Sequence, residues 1–350
     1  MPGPRRSLAA ALAALALGLP ACGGGGAGDR PAAKAAPKKA PVTTASARAV
    51  KADETGRIPV LEYHRVGGDP DLAPEWTIST AAFRRELEQL HRRGYWPLNL
   101  RDMLAGRIDV PAGKTPVVLT FDDSSDSQFT YVRRGGSLVP DPDGAVGVLL
   151  DFHRRHPDWP LRATWFVLPE ADSPNHLFDQ PRLATRKLRF LVDHGMEVGS
   201  HTLYHANLGE ATPDQVREQL ARSLQEIGRR LPGYEVVSLS VPFGVYPADD
   251  SLLREGTWQG LSYRFAGAVE VSGPPSLPPG DRRFDPFHIP RIQTGTAPGQ
   301  SREMLRALDH GAPRRFVSDG DPRVVSFPAA RSSSLDLPAL RRAGKVFRGY

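Results

Sequence analysis

Two segments far apart in the chain hold the residues best suited to chemistry. Thr120-Phe121-Asp122-Asp123 puts paired carboxylates at the end of an apolar run over 116–121, and His201-Thr202-Leu203-Tyr204-His205 puts two imidazoles four residues apart after another apolar run. One carboxylate and two imidazoles make the donor set of a catalytic zinc-type site, which keeps a position open for water. A second carboxylate beside them, free of metal, suits a base, so the combination points to metal-assisted hydrolysis. Alone, each segment has a bland explanation. An Asp pair after a strand is often a turn or a helix cap, and His at i and i+4 arises by chance. If 201–205 forms one helical turn, both rings face the same point, and Thr202 is placed to fix that turn by a local hydrogen bond.

The elements that must position these groups alternate. Strands are expected at 58–63, 116–121, 163–168, 196–199, 236–241, 263–268 and 287–292. Helices are expected at 80–93, where Phe83, Leu87 and Leu90 fall at helical spacing behind a Thr80 cap, and at 145–156, 183–195 and 213–230. Such alternation implies an α/β fold with a mostly parallel sheet, and closure into a barrel suits the length. His64, the Asp pair, His201 and Pro242-Phe243-Gly244 all follow strands, at the end where barrel folds carry their sites.

The ends of the chain read differently. Arg5 and Arg6 precede an apolar stretch and then Leu19-Pro20-Ala21-Cys22, so residues 1–22 read as a lipoprotein signal whose Cys22 takes a lipid anchor; an ordinary secretory signal is the alternative. Cys22 is the only cysteine, which leaves none in the mature body for a disulfide, a nucleophile or a metal ligand. Residues 23–57, rich in Gly, Ala, Pro and Lys, are expected to be a disordered tether reaching roughly 30 Å. One domain over 58–327 and a basic tail over 328–350 complete the organisation. The expected location is extracytoplasmic, at the membrane, with plain secretion as the alternative. The net charge is +6, but its basic residues are scattered, and no basic helix is interleaved with aromatics, which argues against a nucleic-acid partner. No protein partner is evident.

The three segments Thr120-Phe121-Asp122-Asp123, His201-Thr202-Leu203-Tyr204-His205 and Pro242-Phe243-Gly244 resemble the first three motifs of the polysaccharide deacetylases of the NodB-homology type. Val60-Leu61-Glu62-Tyr63-His64-Arg65-Val66 resembles the opening strand of the branch acting on poly-N-acetylglucosamine-like polymers. The resemblance implies a distorted, incomplete (β/α) barrel. It implies that Asp123, His201 and His205 hold a divalent metal, zinc above all, with cobalt or nickel as alternatives. Asp122 would be the base, the Phe243 N–H an oxyanion donor, and a histidine the acid that protonates the departing amine. That acid is His64 by the Tyr-His pair, or His288 if Phe287-His288 stands for a late Leu-x-His motif. The chain departs from the pattern at Ser124, where glycine is usual, at Ser240, where an arginine normally orients the base, and in the long segment 124–158, a flap over the site or packing for the barrel rim. Arg291 is the candidate for the missing orienting role. The implied activity is removal of N-acetyl groups from an envelope or extracellular polysaccharide. A non-catalytic carbohydrate-binding relative, favoured by Ser240, and an O-deacetylase are the alternatives. Trp76, Trp165 and Trp258 are available to stack on sugar rings, though Trp165 lies inside a strand and suits the core better.

Overall fold

Residues 115–121 read Thr-Pro-Val-Val-Leu-Thr-Phe and every one is buried, the pattern of a strand covered on both faces. In the computed structural model, which describes residues 41–68, 73–294 and 300–350, this strand is the centre of an eight-stranded parallel sheet. Its strands are β1 (Val60–Tyr63), β2 (Tyr95–Leu98), β3 (Thr115–Phe121), β4 (Thr164–Val167), β5 (Glu197–Ser200), β6 (Ser238–Ser240), β7 (Gly267–Val269) and β8 (Ile292–Gln293). The order is β7-β6-β5-β4-β3-β1-β8. β2 pairs with the first half of β3 and β4 with its second half, Thr120 opposite Thr164. Ile289 bridges to Val269 of β7, and three residues later Ile292 pairs with Leu61 of β1. One short segment therefore carries the sheet from its last strand back to its first. The result is the distorted, incomplete barrel that the resemblance implied, on the parallel sheet expected from the alternation.

Parallel strands need crossovers, and helices supply them. In chain order the helices are α1 (Thr44–Ala49), α2 (Thr80–Arg92), α3 (Leu100–Leu104), α4 (Ala145–Arg155), α5 (Ala184–Asp193), α6 (Pro213–Arg230), α7 (Gln300–Asp309) and α8 (Leu337–Arg342). α2 buries Phe83, Leu87 and Leu90 as the spacing predicts, but its cap is Ser79, whose hydroxyl accepts from the Ala82 N–H at 3.2 Å. Thr80 instead donates to the Asp143 carbonyl at 2.7 Å, tying α2 to the turn before α4. Trp165 is core, stacked on Phe121 with ring centroids 4.1 Å apart. At the opposite end of the strands from the histidines, the buried Glu197 accepts from the Arg101 N–H of α3 (2.8 Å), Thr164 (2.9 Å) and Ser238 (2.7 Å).

Some expectations fail for identifiable reasons. The run 263–268 divides: Leu261–Arg264 turns back on Glu255–Trp258 as an antiparallel hairpin, and only Gly267–Val269 joins the sheet. The run 287–292 forms a strand only at its end, because Pro290 has no N–H to give a ladder. β2 went unseen because it is four residues long and contains Pro97. The domain also extends past both expected boundaries. Within the expected tether, α1 is closed by a Thr43/Ser46 capping box, and Val42, Ala47 and Ala52 pack with Val324. Within the expected tail, Val346–Gly349 pairs with Val324–Phe327, and the Tyr350 hydroxyl donates to the Ala52 carbonyl at 2.7 Å. The two ends cover each other, so neither looks foldable from its own composition. Residues 1–40, with the signal and Cys22, lie outside the described residues. No described helix is long and apolar enough to cross a membrane.

Candidate metal centre and active site

Every strand of the eight-stranded sheet runs the same way, so the ends of β1, β3, β5 and β6 bring His64, the Asp pair, His201 and Ser240 to one rim. His201 Nδ1 is 2.9 Å from the Ser240 carbonyl, a contact that keeps its proton there and leaves Nε2 as a ligand atom. That Nε2 is 3.3 Å from Asp123 Oδ1, and His205 Nε2 is 3.5 Å from the same oxygen. Zinc–ligand bonds of roughly 2.0–2.2 Å in a tetrahedron separate neighbouring ligand atoms by about 3.3–3.6 Å. Asp123 Oδ1 is buried and has no hydrogen-bond partner of its own among the described residues. The donor set fits a divalent ion at the three positions the motifs imply.

The histidine pair does not sit on a helical turn. Thr202 (φ 69°) and His205 (φ 68°) are left-handed, and the segment is a tight turn in which the Thr202 hydroxyl accepts from the N–H groups of His205 (3.1 Å) and Ala206 (3.3 Å). Asp123 (φ 72°), Ser124 (φ 46°) and Phe243 (φ 60°) share this conformation, which costs non-glycine residues about 1–3 kcal/mol each and concentrates at sites where surrounding contacts impose it. Ser124, where the family pattern has glycine, accommodates it with a buried hydroxyl that donates to the Asn175 carbonyl (2.7 Å) and accepts from the Leu168 N–H (3.0 Å).

Asp122 is held by a fully buried arginine. Arg291 Nη1 and Nη2 donate to its two carboxylate oxygens at 2.8 and 2.7 Å, and the Ser240 hydroxyl donates to Oδ2 at 2.8 Å. Arg291 stands between the Ile289 bridge and β8, so the seam of the barrel delivers the guanidinium to the place left open by the small Ser240. Its Nε donates to the Glu270 carbonyl at 2.5 Å, Nη1 also to Thr120 (3.1 Å), and Nη2 also to Glu62 (3.1 Å) and Ser240 (3.1 Å). Burial alone would push the Asp122 carboxyl up, but Arg291 and then His201 hold it well below the ordinary carboxylate range. Asp122 therefore stays ionised 3.8 Å from His201 Nε2. Glu62 goes the other way. Burial, opposed by Arg291 and helped by Asp122 and Asp123, pushes it up to about 8, so the cluster buries one cation against one anion at neutral pH.

The two candidate acids are far from equivalent. His64 lies in the cluster, its Nε2 3.7 Å from Glu62 Oε1, its ring 4.6 Å from Trp76 and its Nδ1 buried with no hydrogen-bond partner among the described residues. Burial lowers its pKa, while Asp122 and Asp123 pull it up. His288 is bound elsewhere, to Glu270 at 3.1 Å and Asp250 at 3.3 Å, and is stacked on Tyr246. No described hydrogen bond or ion pair joins it to Asp122, Asp123, His201 or His205. Burial pushes the His205 imidazole down to about 4, followed by the His201 charge, which keeps it a neutral ligand. Phe243 sits in the turn Pro242–Gly244 with its ring 4.4 Å from His205, and its N–H has no hydrogen-bond partner among the described residues. Phe243 and Tyr204 are both more than half exposed.

The segment 124–158 packs the rim. Gln128 Nε2 donates to the carbonyls of His64 (2.5 Å) and Asp122, joining the ends of β1 and β3. Tyr131 is buried, while Arg133, Arg134, Gly135 and Gly136 form the exposed tip of a hairpin between Tyr131–Arg134 and Ser137–Pro140. Glu62 and Gln128 were not picked out from the sequence. An acid inside the apolar run Val60-Leu61-Glu62-Tyr63 was a usable signal for the first, and nothing local marks the second.

Residues 157–255 match the family model described as polysaccharide deacetylase, a stretch that contains both histidines and Phe243. A peptidoglycan-N-acetylglucosamine deacetylase of Bacillus cereus is 29% identical over 153 residues, covering 43% of this chain and 45% of that protein. The chain spans less than two thirds of the length of the curated relatives it matches. Among solved structures, a polysaccharide deacetylase from Bacillus cereus superposes with a TM-score of 0.52 at 20% identity, covering 72% of this chain and 69% of that one. IcaB from Ammonifex degensii gives 0.51 at 20% identity, over 73% and 98%. At that identity the structures speak for the fold. With the sequence matches beside it, the chain is similar in sequence over residues 157–255, and in fold over most of the described domain, to polysaccharide deacetylases.

Proposed function

We propose that this protein is a metal-dependent deacetylase that hydrolyses the N-acetyl groups of an N-acetylglucosamine-containing envelope or extracellular polysaccharide. The observation that carries the reading is Asp122: an ionised, buried carboxylate locked by Arg291 beside a complete donor set of two histidines and an aspartate. Asp123, His201 and His205 would hold the divalent ion, with zinc favoured by the nitrogen and oxygen donors. When bound, such an ion polarises the acetyl carbonyl and lowers the pKa of water toward ~7.

The chain's own groups supply the rest. Asp122 accepts the proton of the attacking water, and Arg291 and Ser240 fix the direction of its oxygens. The Phe243 N–H, in a left-handed turn and without a hydrogen-bond partner among the described residues, is the donor for the oxyanion as it develops. His64, as imidazolium, protonates the departing amine, since an amide anion is a poor leaving group. The negative charges of Asp122 and Asp123 favour that imidazolium against the burial that opposes it. Tyr204 and Phe243 offer exposed aromatic faces on which sugar rings can stack. The similar Bacillus cereus protein, named for peptidoglycan N-acetylglucosamine, supports that sugar. An anchor on Cys22 would hold the domain near such polymers at the membrane.

The test is acetate release from a panel of N-acetylglucosamine oligomers, peptidoglycan fragments and O-acetylated glycans by metal-reconstituted protein. Release from N-acetylated members, lost with chelator and restored by zinc, is expected. Bound metal with no release from any member would sink the reading.

A further inference from the structure

We propose that His91, His156 and Asp158 form a second binding site for a divalent transition ion of the zinc class, on the outer seam between α2 and α4. His91 lies in the last turn of α2, His156 caps the end of α4, and Asp158 follows two residues later. One ligand atom from each falls within 4.8 Å of the others. His91 Nε2 is 3.3 Å from Asp158 Oδ2, the same separation as His201 from Asp123 in the first site and again the edge of a zinc tetrahedron.

A simple ion pair between His91 and Asp158 would account for two of the three groups. His156 pairs with Glu88 instead, yet neither ion pair accounts for the approach of the two imidazoles, whose ring centroids lie 4.4 Å apart. Two imidazoles so close repel if both are protonated, whereas neutral rings sharing one cation do not. Both rings rest on Phe152, at 6.0 and 4.5 Å, which backs the site with an apolar wall. The loop that presents Asp158 is pinned: Trp159 donates its indole N–H to the Tyr95 carbonyl at 2.9 Å and its backbone N–H to the His156 carbonyl at 3.0 Å, and His153 Nδ1 lies 2.8 Å from the Trp159 carbonyl. Glu88 places an outer carboxylate 3.4 Å from His156 Nε2, the usual partner of a ligating imidazole. The nearby cation, Arg155, is taken up by Glu88 and by Asp151 at 3.2 Å. Both histidines are about a quarter exposed, so an ion has access, with water completing its shell. The carboxylate beside this cluster, Glu88, is a third exposed, whereas Asp122 is buried. The ion would clamp the end of α2 to the end of α4 without taking part in hydrolysis.

The proposal does not depend on the deacetylase reading, and metal counting separates the two. After chelation and zinc reconstitution, elemental analysis of the full chain should give two zinc ions. His91→Gln/His156→Gln should give one, with acetate release unchanged and the zinc-dependent rise in Tm reduced. Asp123→Ala/His205→Ala should also give one, and the combined variant none. Circular dichroism checks that each variant is folded, and Asp158→Asn, the mildest change, should weaken the second site alone. If Asp123→Ala/His205→Ala protein binds no zinc, or keeps its one ion when His91 and His156 are also replaced, the second site does not exist.

Discussion

Among the described residues stand two clusters of two histidines and an aspartate, and they differ in almost everything but composition. Asp123, His201 and His205 stand at strand ends, with His201 buried, the supporting backbone in left-handed conformations and an arginine-locked carboxylate alongside. His91, His156 and Asp158 stand at helix ends, partly exposed, in ordinary helix-terminal geometry. The donor atoms decide what can bind. What surrounds them decides whether binding leads to chemistry. The first cluster has beside it the residues proposed as base, acid and oxyanion donor, with Asp122 held ionised by Arg291, whereas the second has only candidate ligands and their supports.

That contrast can be broken most strongly at the proton donor. His64→Ala should lower acetate release by ~10²–10⁴-fold, the usual worth of a general acid, while His288→Ala leaves it nearly unchanged. Equal losses from both would put the acid assignment in doubt. Arg291→Leu should cost about 3–5 kcal/mol of unfolding free energy, because Asp122 is left buried without its counter-charge. Denaturant melts would read this, and a variant as stable as the parent would mean the seam arginine is not what neutralises the cluster. Ser240→Ala removes the hydroxyl that donates to Asp122 and accepts from Arg291, while those two ions keep each other, and should cost only about 1–3 kcal/mol, with metal binding intact.

The smallest effect concerns α2, which reaches both regions: Glu86 accepts from the Tyr63 hydroxyl at 3.0 Å behind the first site, and His91 ends the helix at the second. Burial pushes Glu86 up to about 7 from 4.5, with Tyr63 opposing. Between those values the folded state binds more protons than the unfolded one, so stability falls as pH rises through that window, by up to ~1.4 kcal/mol per pH unit. Glu86→Gln should flatten this part of the pH–stability curve, and an unchanged slope would show that the group titrates normally.

Much of this was legible in the residues, and the rest was not for physical reasons. The Asp pair and the His pair stood out because their chemistry is unusual at strand ends. Arg291 could be named from an absence, Ser240, but its reach to Asp122 depends on a barrel seam made by Ile289 and Ile292, which is tertiary. The His201–His205 spacing suggested a helical turn, yet Thr202 and His205 are left-handed, a conformation that propensity argues against and the site's hydrogen bonds impose. Residues 41–57 looked like a tether because their partners, Val324 and Tyr350, lie some three hundred positions away.

The central claim is that one aspartate of the pair binds and the other moves protons. Zinc content and acetate release measured together on Asp122→Asn test it most directly. The account predicts that zinc at Asp123, His201 and His205 is retained while acetate release from N-acetylglucosamine oligomers falls by at least ~10²-fold. Release at the parent rate with zinc bound would contradict it.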